Sequence, residues 1–238
     1  MHPNSDPWRR QAPRAQPGPD EASPPPPGRL ATPYFCYALL GAAVVWFGVD
    51  LVLLGNAHPF AINGPAVAAG QWWRIPGAVI EHGNLIHLFF NMSVVWTIGR
   101  AYEGVIGTGR FALVSIAGLL GSSLLQLGLA FHQPAVGASG MILGWVGAML
   151  PIATKAHRSE LVTWLIQIAV ISLLPFVSWQ GHLGGFLAGL PCGLLLRLGP
   201  TWFKRYAPMV IAALIGLNVL AVTRGAQQPA PEQTRQRR

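Results

Sequence analysis

Two residues in this chain are suited to covalent chemistry: the serine of Gly137-Ala-Ser139-Gly140 and the histidine of His182-Leu-Gly-Gly185. A serine hydroxyl is inert alone, and an imidazole within hydrogen-bond reach makes it a nucleophile by taking its proton. A second pair, His87 and Asn91, lies four positions apart and so shares one helical face. Both can donate to a developing oxyanion, where each donor contributes about 2.7–4 kcal/mol. Taken singly, each cluster has an ordinary explanation. His87 and Asn91 would glue helices by hydrogen bonding, and the glycines after Ser139 would let another helix come close. A zinc site is a third possibility, but His82 and His87 lack the HExxH spacing of a metalloprotease, and Glu81 precedes the first histidine.

The elements that must position these groups are membrane helices. The chain has 238 residues, 52% apolar and 10% charged, too little polar surface to cover a soluble globule. A bilayer core of about 30 Å takes roughly 20 apolar residues per helical span. Such segments recur near 34–54, 85–102, 111–131, 138–154, 161–178, 180–197 and 206–223, giving an all-α polytopic protein of six or seven spans. Polar side chains inside spans are costly, which makes each a candidate site. In the sixth span Gly185, Gly189 and Gly193 fall on the face of His182, at steps of three, four and four. The fourth span offers a matching smooth face in Gly140, Gly144 and Gly147, and docking the two would set His182 beside Ser139.

Basic residues gather in the N-terminal tail and in the loops Arg100–Arg110, Lys155–Arg158 and Arg197–Arg205, which the positive-inside rule places in the cytoplasm. Ser139 and His182 then begin their spans on the outer side. The net charge of +8 reports this topology and contact with anionic lipid, not nucleic-acid binding. A span at 206–223 would put Arg224, Arg235, Arg237 and Arg238 outside, against the rule, and an interfacial helix is the alternative there. Residues 1–32, rich in Pro and Arg, read as a disordered cytoplasmic tail without a signal-peptide h-region. The catalytic unit is expected over 33–199, an added transmembrane helix over 200–223 and a polar basic tail over 224–238. Cys36 and Cys192 read as free buried thiols, and Asp50 as a solvated residue at a helix end.

The order and spacing of Trp73-Arg74, His82, His87-Leu-Phe-Phe-Asn91, Gly99, Glu103, Gly107-Thr-Gly109-Arg110, Gly137-Ala-Ser139-Gly140, His182-Leu-Gly-Gly185 and Gly189 resemble the rhomboid family of intramembrane serine proteases. The resemblance runs from about Gln71 to Gly193 and implies a six-helix core, here with a seventh helix appended. It implies Ser139 as nucleophile and His182 as general base, a dyad without a carboxylate. His87, Asn91 and the main chain at Ser139 would form the oxyanion hole, supported by Gly137. Trp73, Arg74 and Glu103 would have structural roles, with His82, Arg110, Gly140, Gly185 and Gly189 completing the motif. No metal and no cofactor are implied. Substrates would be single-pass membrane proteins within the lipid bilayer, cut near the outer end of a helix that unwinds locally. His82, Asn84, Gln133 and Gln180 are placed to line the rim of a water-filled depression above the dyad.

The chain departs from the family pattern at Leu143, where members carry an aromatic residue against the catalytic histidine; aliphatic contact would hold the ring instead. Gly77 and Ile80 stand where Thr and Phe are usual. A protease-dead relative that binds transmembrane helices would use the same fold but would typically lack the serine or the histidine. A transporter would predict internal repeats or interrupted helices in matching halves, and the chain has neither. The expected compartment is a bacterial inner membrane.

Overall fold

A computed structural model describes residues 30–174 and 177–228; residues 1–29 of the tail expected over 1–32 and residues 229–238 of the one expected over 224–238 lie outside them. Everything below concerns the compact unit Ala31–Arg238. In chain order it comprises α1 (Tyr34–Leu53), the short α2 (Gly64–Ala68) and α3 (Arg74–Gly77), α4 (Leu85–Val94), a π-helical turn (Val95–Gly99), α5 (Arg100–Ile106), α6 (Thr108–Leu129), α7 (Ser139–Met149), α8 (Lys155–Ile171), α9 (Trp179–Leu198) and α10 (Pro200–Gly225). Among the described residues the only β pairing is an isolated antiparallel bridge between Ile62 and Ala135. Helices α1, α6, α9 and α10 are each long and apolar enough to cross a bilayer. The span expected over 85–102 runs from Leu85 to Ile106, passing through the π turn.

Hydrogen bonds group the connections into two ends. At one, Glu103 at the close of α5 accepts from the Phe35 N–H (2.9 Å) and Cys36 N–H (2.9 Å) of α1 and from the Thr108 hydroxyl (2.7 Å) of α6. At the other, the α1–α4 connection reaches the α6–α7 connection through the Ile62–Ala135 bridge, the Gly137 N–H donates to Ala78 O (2.8 Å), and Gln126 meets Ser178. Glu103 is fully buried, and α1 has no side-chain cap of its own. Its carboxylate therefore satisfies donors that the helix cannot, while meeting the positive end of the α1 dipole. We expect Glu103→Gln, which turns one acceptor into a donor facing donors, to cost about 2–4 kcal/mol, read as a drop in the thermal unfolding midpoint in detergent. An unchanged midpoint would remove this role.

The centre of the bundle is α7, whose residues from Gly140 to Ala148 are all buried. Its neighbours are α6 and α9, and the contacts are backbone on backbone. A Cβ added at Gly185 would meet Gly140 O, one at Gly189 would meet Gly144 O, and one at Gly193 would meet Ala148 O. On the other flank, Gly118 of α6 faces Met141 and Gly144, while Gly121 faces Gly184 and Ala188 of α9. In a bilayer, where lipid is as apolar as leucine, such close packing replaces the hydrophobic effect as the force between helices. With 11 residues, α7 is about 16 Å long, half the hydrocarbon thickness. Shielded all round, it need not reach both surfaces of a bilayer. The span expected over 138–154 is shorter for this reason.

Two further helices differ from the expected apolar runs. Gly199, at φ +113°, breaks the chain, and Pro200 opens a new helix at once, so α10 starts at residue 200, where the added helix was expected, six residues before the apolar run near 206. It packs along its length through Phe203, Ala207, Leu214, Asn218 and Val222, with Asn218 accepting from Ser123 (2.8 Å) and donating to Leu120 O (2.9 Å) on α6. It packs as a member of the bundle and is long and apolar enough to span. Helix α8 begins at Lys155, where Thr154 accepts the His157 N–H, and ends before Ser172; along it only Leu161 is buried. Cys36 and Cys192 are free and buried, as expected.

Asp50 is not a solvated residue. It is 2% exposed, and its carboxylate accepts from the His58 N–H (3.2 Å) and meets His58 Nδ1 (2.8 Å). Glu81, also buried, faces the same Nδ1 (3.2 Å) and accepts from Trp46 Nε1 (3.2 Å) and the Phe60 N–H (3.0 Å). Two carboxylates thus clasp the loop after α1 around one imidazole. The spacing of these residues along the chain gave no hint of this clasp.

Candidate active site

Ser139 and His182 meet. Their helices begin at the same end of the bundle and pack with no side chain between them at Gly140 and Gly185, leaving Ser139 Oγ 2.8 Å from His182 Nε2. Local chemistry sets both starting points. Gly137 holds a φ of +111°, which glycine adopts at little cost, and a Cβ there would lie 2.6 Å from the His87 ring. At α9, Ser178 caps the helix by accepting the Gly181 N–H (3.0 Å) and ties it to α6 by donating to Gln126 Oε1 (2.5 Å). His182 therefore falls in the first turn of α9.

The His182 ring is held through both nitrogens. Nδ1 lies 2.7 Å from the Oγ of Ser172, in the turn that ends α8. The sequence suggests only an aliphatic contact from Leu143, which is buried; the structure adds a polar hold on the ring. Sequence reasoning missed Ser172 because nothing in a serine ten residues upstream signals that the chain turns back onto the ring. It also missed Ser122, Gln126 and Ser178. With Ser139, His182 and Gly140 these line a cavity of about 30 Å³, enough for one or two waters beside the hydroxyl. The capping position of Ser178, three residues before Gly181, was a readable signal. A wider depression of about 610 Å³ opens next to it, lined by Gln133, Gln180, Ser172 and Trp179 among others.

His87 stacks against Gly137 and lies edge-on to His82, with ring centroids 5.1 Å apart. Asn91 is buried one turn deeper and donates through Nδ2 to His87 O (3.0 Å), which leaves its second amide hydrogen uncommitted. The Gly137 N–H is already given to Ala78 O, so Gly137 contributes shape and not a donor. Helix α7 has no side-chain cap, and the first N–H groups from Ser139 onward have no acceptor within the helix. Such a terminus attracts negative charge.

The remaining motif residues do not touch the reacting pair. Arg74 donates to Gln71 Oε1 (2.6 Å) and Ala61 O (3.0 Å), bracing its loop, whereas Trp73 is 56% exposed and accepts the Gly77 N–H (2.9 Å) at the start of α3. Arg110 donates to Ile106 O (3.2 Å). His82 is buried rather than on the rim and donates through Nδ1 to Ile80 O (3.2 Å). Burial, with His87 beside it, pushes its pKa down to about 4, so it is neutral at physiological pH. Asn84 caps α4 by accepting the His87 N–H (2.8 Å) and lines neither cavity. Among the described residues, one group has the donor types for a metal ion: Asp50, His58 and Glu81, with ligand atoms within 4.8 Å of one another. Its oxygens already accept the hydrogen bonds described above, and it lies outside the site.

Residues 69–199, more than half of the chain, match the family model of the rhomboid domain. The chain belongs to the rhomboid family. It is 30% identical over 218 residues to the rhomboid protease GluP of Bacillus subtilis (strain 168), covering 85% of this chain and 42% of that protein. It is 30% identical over 179 residues to the putative rhomboid protease YdcA of the same organism, covering 67% of this chain and 88% of that one. RHOMBOID-like protein 6, mitochondrial, of Arabidopsis thaliana is 34% identical over 143 residues, with 56% of this chain and 47% of that protein covered. The chain thus spans about half the length of several curated relatives that it matches. Like its family, this rhomboid is an all-α, multi-pass integral membrane protein.

Proposed function

We propose that this rhomboid is an intramembrane serine endopeptidase that cuts single-pass membrane proteins near the outer end of their helix, in a bacterial inner membrane. The supporting observation is the 2.8 Å separation between Ser139 Oγ and His182 Nε2 below the outer end of the bundle. Ser139 Oγ attacks the carbonyl carbon as its proton passes to His182 Nε2. The oxyanion develops at the start of α7, where the Ser139 N–H, the free amide hydrogen of Asn91 and His87 are the available donors. Collapse breaks the C–N bond, with the proton on Nε2 going to the leaving amine. A water then attacks the acyl-Ser139 ester and gives a proton to His182 Nε2; collapse breaks the acyl–Oγ bond, the proton returns from Nε2 to Ser139 Oγ, and the new carboxyl group is released. The cavity beside Ser122 and Gln126 is of a size to hold that water. The substrate helix must unwind to present its bond, which favours small or helix-breaking residues near the cut.

The experiment is cleavage of a model single-pass substrate by the purified protein in liposomes. Cleavage by wild type and its loss in folded Ser139→Ala is the expected result. Failure of folded wild type on several substrates would favour a helix-binding relative without activity.

A further inference from the structure

The geometry points to Ser172 as a positioning residue that fixes the His182 ring as the tautomer able to accept the Ser139 proton. This rests on reading Ser139 and His182 as the dyad. Ser172 Oγ stands 2.7 Å from His182 Nδ1 and 2.7 Å from Ile168 O, and the same carbonyl takes the Ser172 N–H at 2.8 Å. A hydroxyl has one hydrogen and two lone pairs, and a carbonyl oxygen can only accept. At 2.7 Å, two acceptors with no hydrogen between them repel. The Ser172 hydrogen therefore lies toward Ile168 O, and a lone pair faces Nδ1. That contact needs a hydrogen too, so it sits on Nδ1, and Nε2 is left with the lone pair that receives the Ser139 hydroxyl. The opposite assignment, with Ser172 donating to Nδ1, sets its oxygen bare against Ile168 O and makes Nε2 a donor, which cannot take a proton from serine.

In the serine–histidine–aspartate triad a carboxylate does this work, and wrong-tautomer replacement there costs about 10⁴ in kcat. At Ser172 a neutral hydroxyl, polarised by a helix carbonyl, does it without the expense of a charge in the bilayer. When Nε2 gains its proton, the Nδ1–H still points at the Ser172 oxygen, whose dipole is turned to favour the imidazolium. Ser172 is 7% exposed and comes from the turn that ends α8, outside the helix of either dyad member, so its contact also sets the ring plane from a third direction.

Threonine and valine at position 172 have the same shape and differ in the hydroxyl, so the pair separates positioning from packing. The probe is an alkyl fluorophosphonate, from which Ser139 Oγ displaces fluoride. Ser172→Thr should label and cleave within about 3-fold of wild type, whereas Ser172→Val should be roughly 10–100-fold slower in both, through kcat with KM unchanged. Equal rates for Thr and Val, or a deficit in KM alone, would overturn the assignment. Nitrogen-15 spectra of the histidine rings, with His182 assigned by its loss in His182→Gln, give a readout that needs no activity. Wild type should show a protonated Nδ1 at His182, and Ser172→Val should lose that preference. A protonated Nε2 in wild type would overturn the proposal even in an active enzyme. An inactive wild type with the Nδ1–H signature would instead sink the protease reading and leave the tautomer assignment standing.

Discussion

Ser139→Ala, His182→Ala and the double variant should show the same residual cleavage, each about 10⁴–10⁶-fold below wild type, with thermal unfolding midpoints unchanged. The equality is the informative part. Ser139 Oγ lies 2.8 Å from His182 Nε2, and proton and electron pair move in one step, so either loss removes the whole contribution and a second loss has nothing left to take. Both residues are only half-buried at the start of their helices, and neither truncation opens a large cavity, which is why stability should hold. Initial rates in liposomes for the four proteins, normalised to folded enzyme, decide it. Deficits that multiply would mean that the residues act independently. A residual rate near wild type in His182→Ala would assign the base elsewhere.

Gly185→Val should have the largest structural effect of any single substitution at the α7–α9 contact. Its new Cβ would overlap the Gly140 carbonyl, which is backbone and cannot rotate away. Helix α9 must move off α7, costing at least about 3 kcal/mol, and the move separates Ser139 from His182. Cleavage should vanish at temperatures where much of the protein is still folded, and the unfolding midpoint should fall by several degrees. Gly216→Ala is the control: that glycine, on α10, has nothing within 4 Å of an added Cβ, and the substitution should be neutral or slightly stabilising. A Gly185 variant with wild-type rate and midpoint would mean that the helices are not held at backbone distance.

The parts of this architecture legible in the sequence were those governed by local periodicity. Glycine steps in 140–147 and 185–193 predicted two smooth faces, and their docking was enough to bring Ser139 to His182. Span ends were legible where a capping or breaking residue marks them, as at Gly199 and Pro200 before α10, and less so by hydropathy alone, which placed that start near 206. What could not be read were contacts made by chain reversal. Ser172 reaches His182 across a turn, Asp50 and Glu81 converge on His58 from separate stretches, and a burial pattern for either requires the fold first. The shortness of α7 was likewise hidden, because it follows from the helix being surrounded, and a hydropathy window cannot see neighbours.

The arrangement at the inner end of α1 bears on how the chain enters the membrane. Helix α1 is synthesised before α5, yet the acceptor for its leading amides, at Phe35 and Cys36, is a carboxylate 68 and 67 residues further along the chain. Hydrocarbon cannot satisfy those amides. Water must hold them until Glu103 arrives, so this end of α1 stays at an aqueous surface during synthesis and seals only when the next span has been inserted and returned its end to the same side. The first span is thus a provisional one, made permanent by the second.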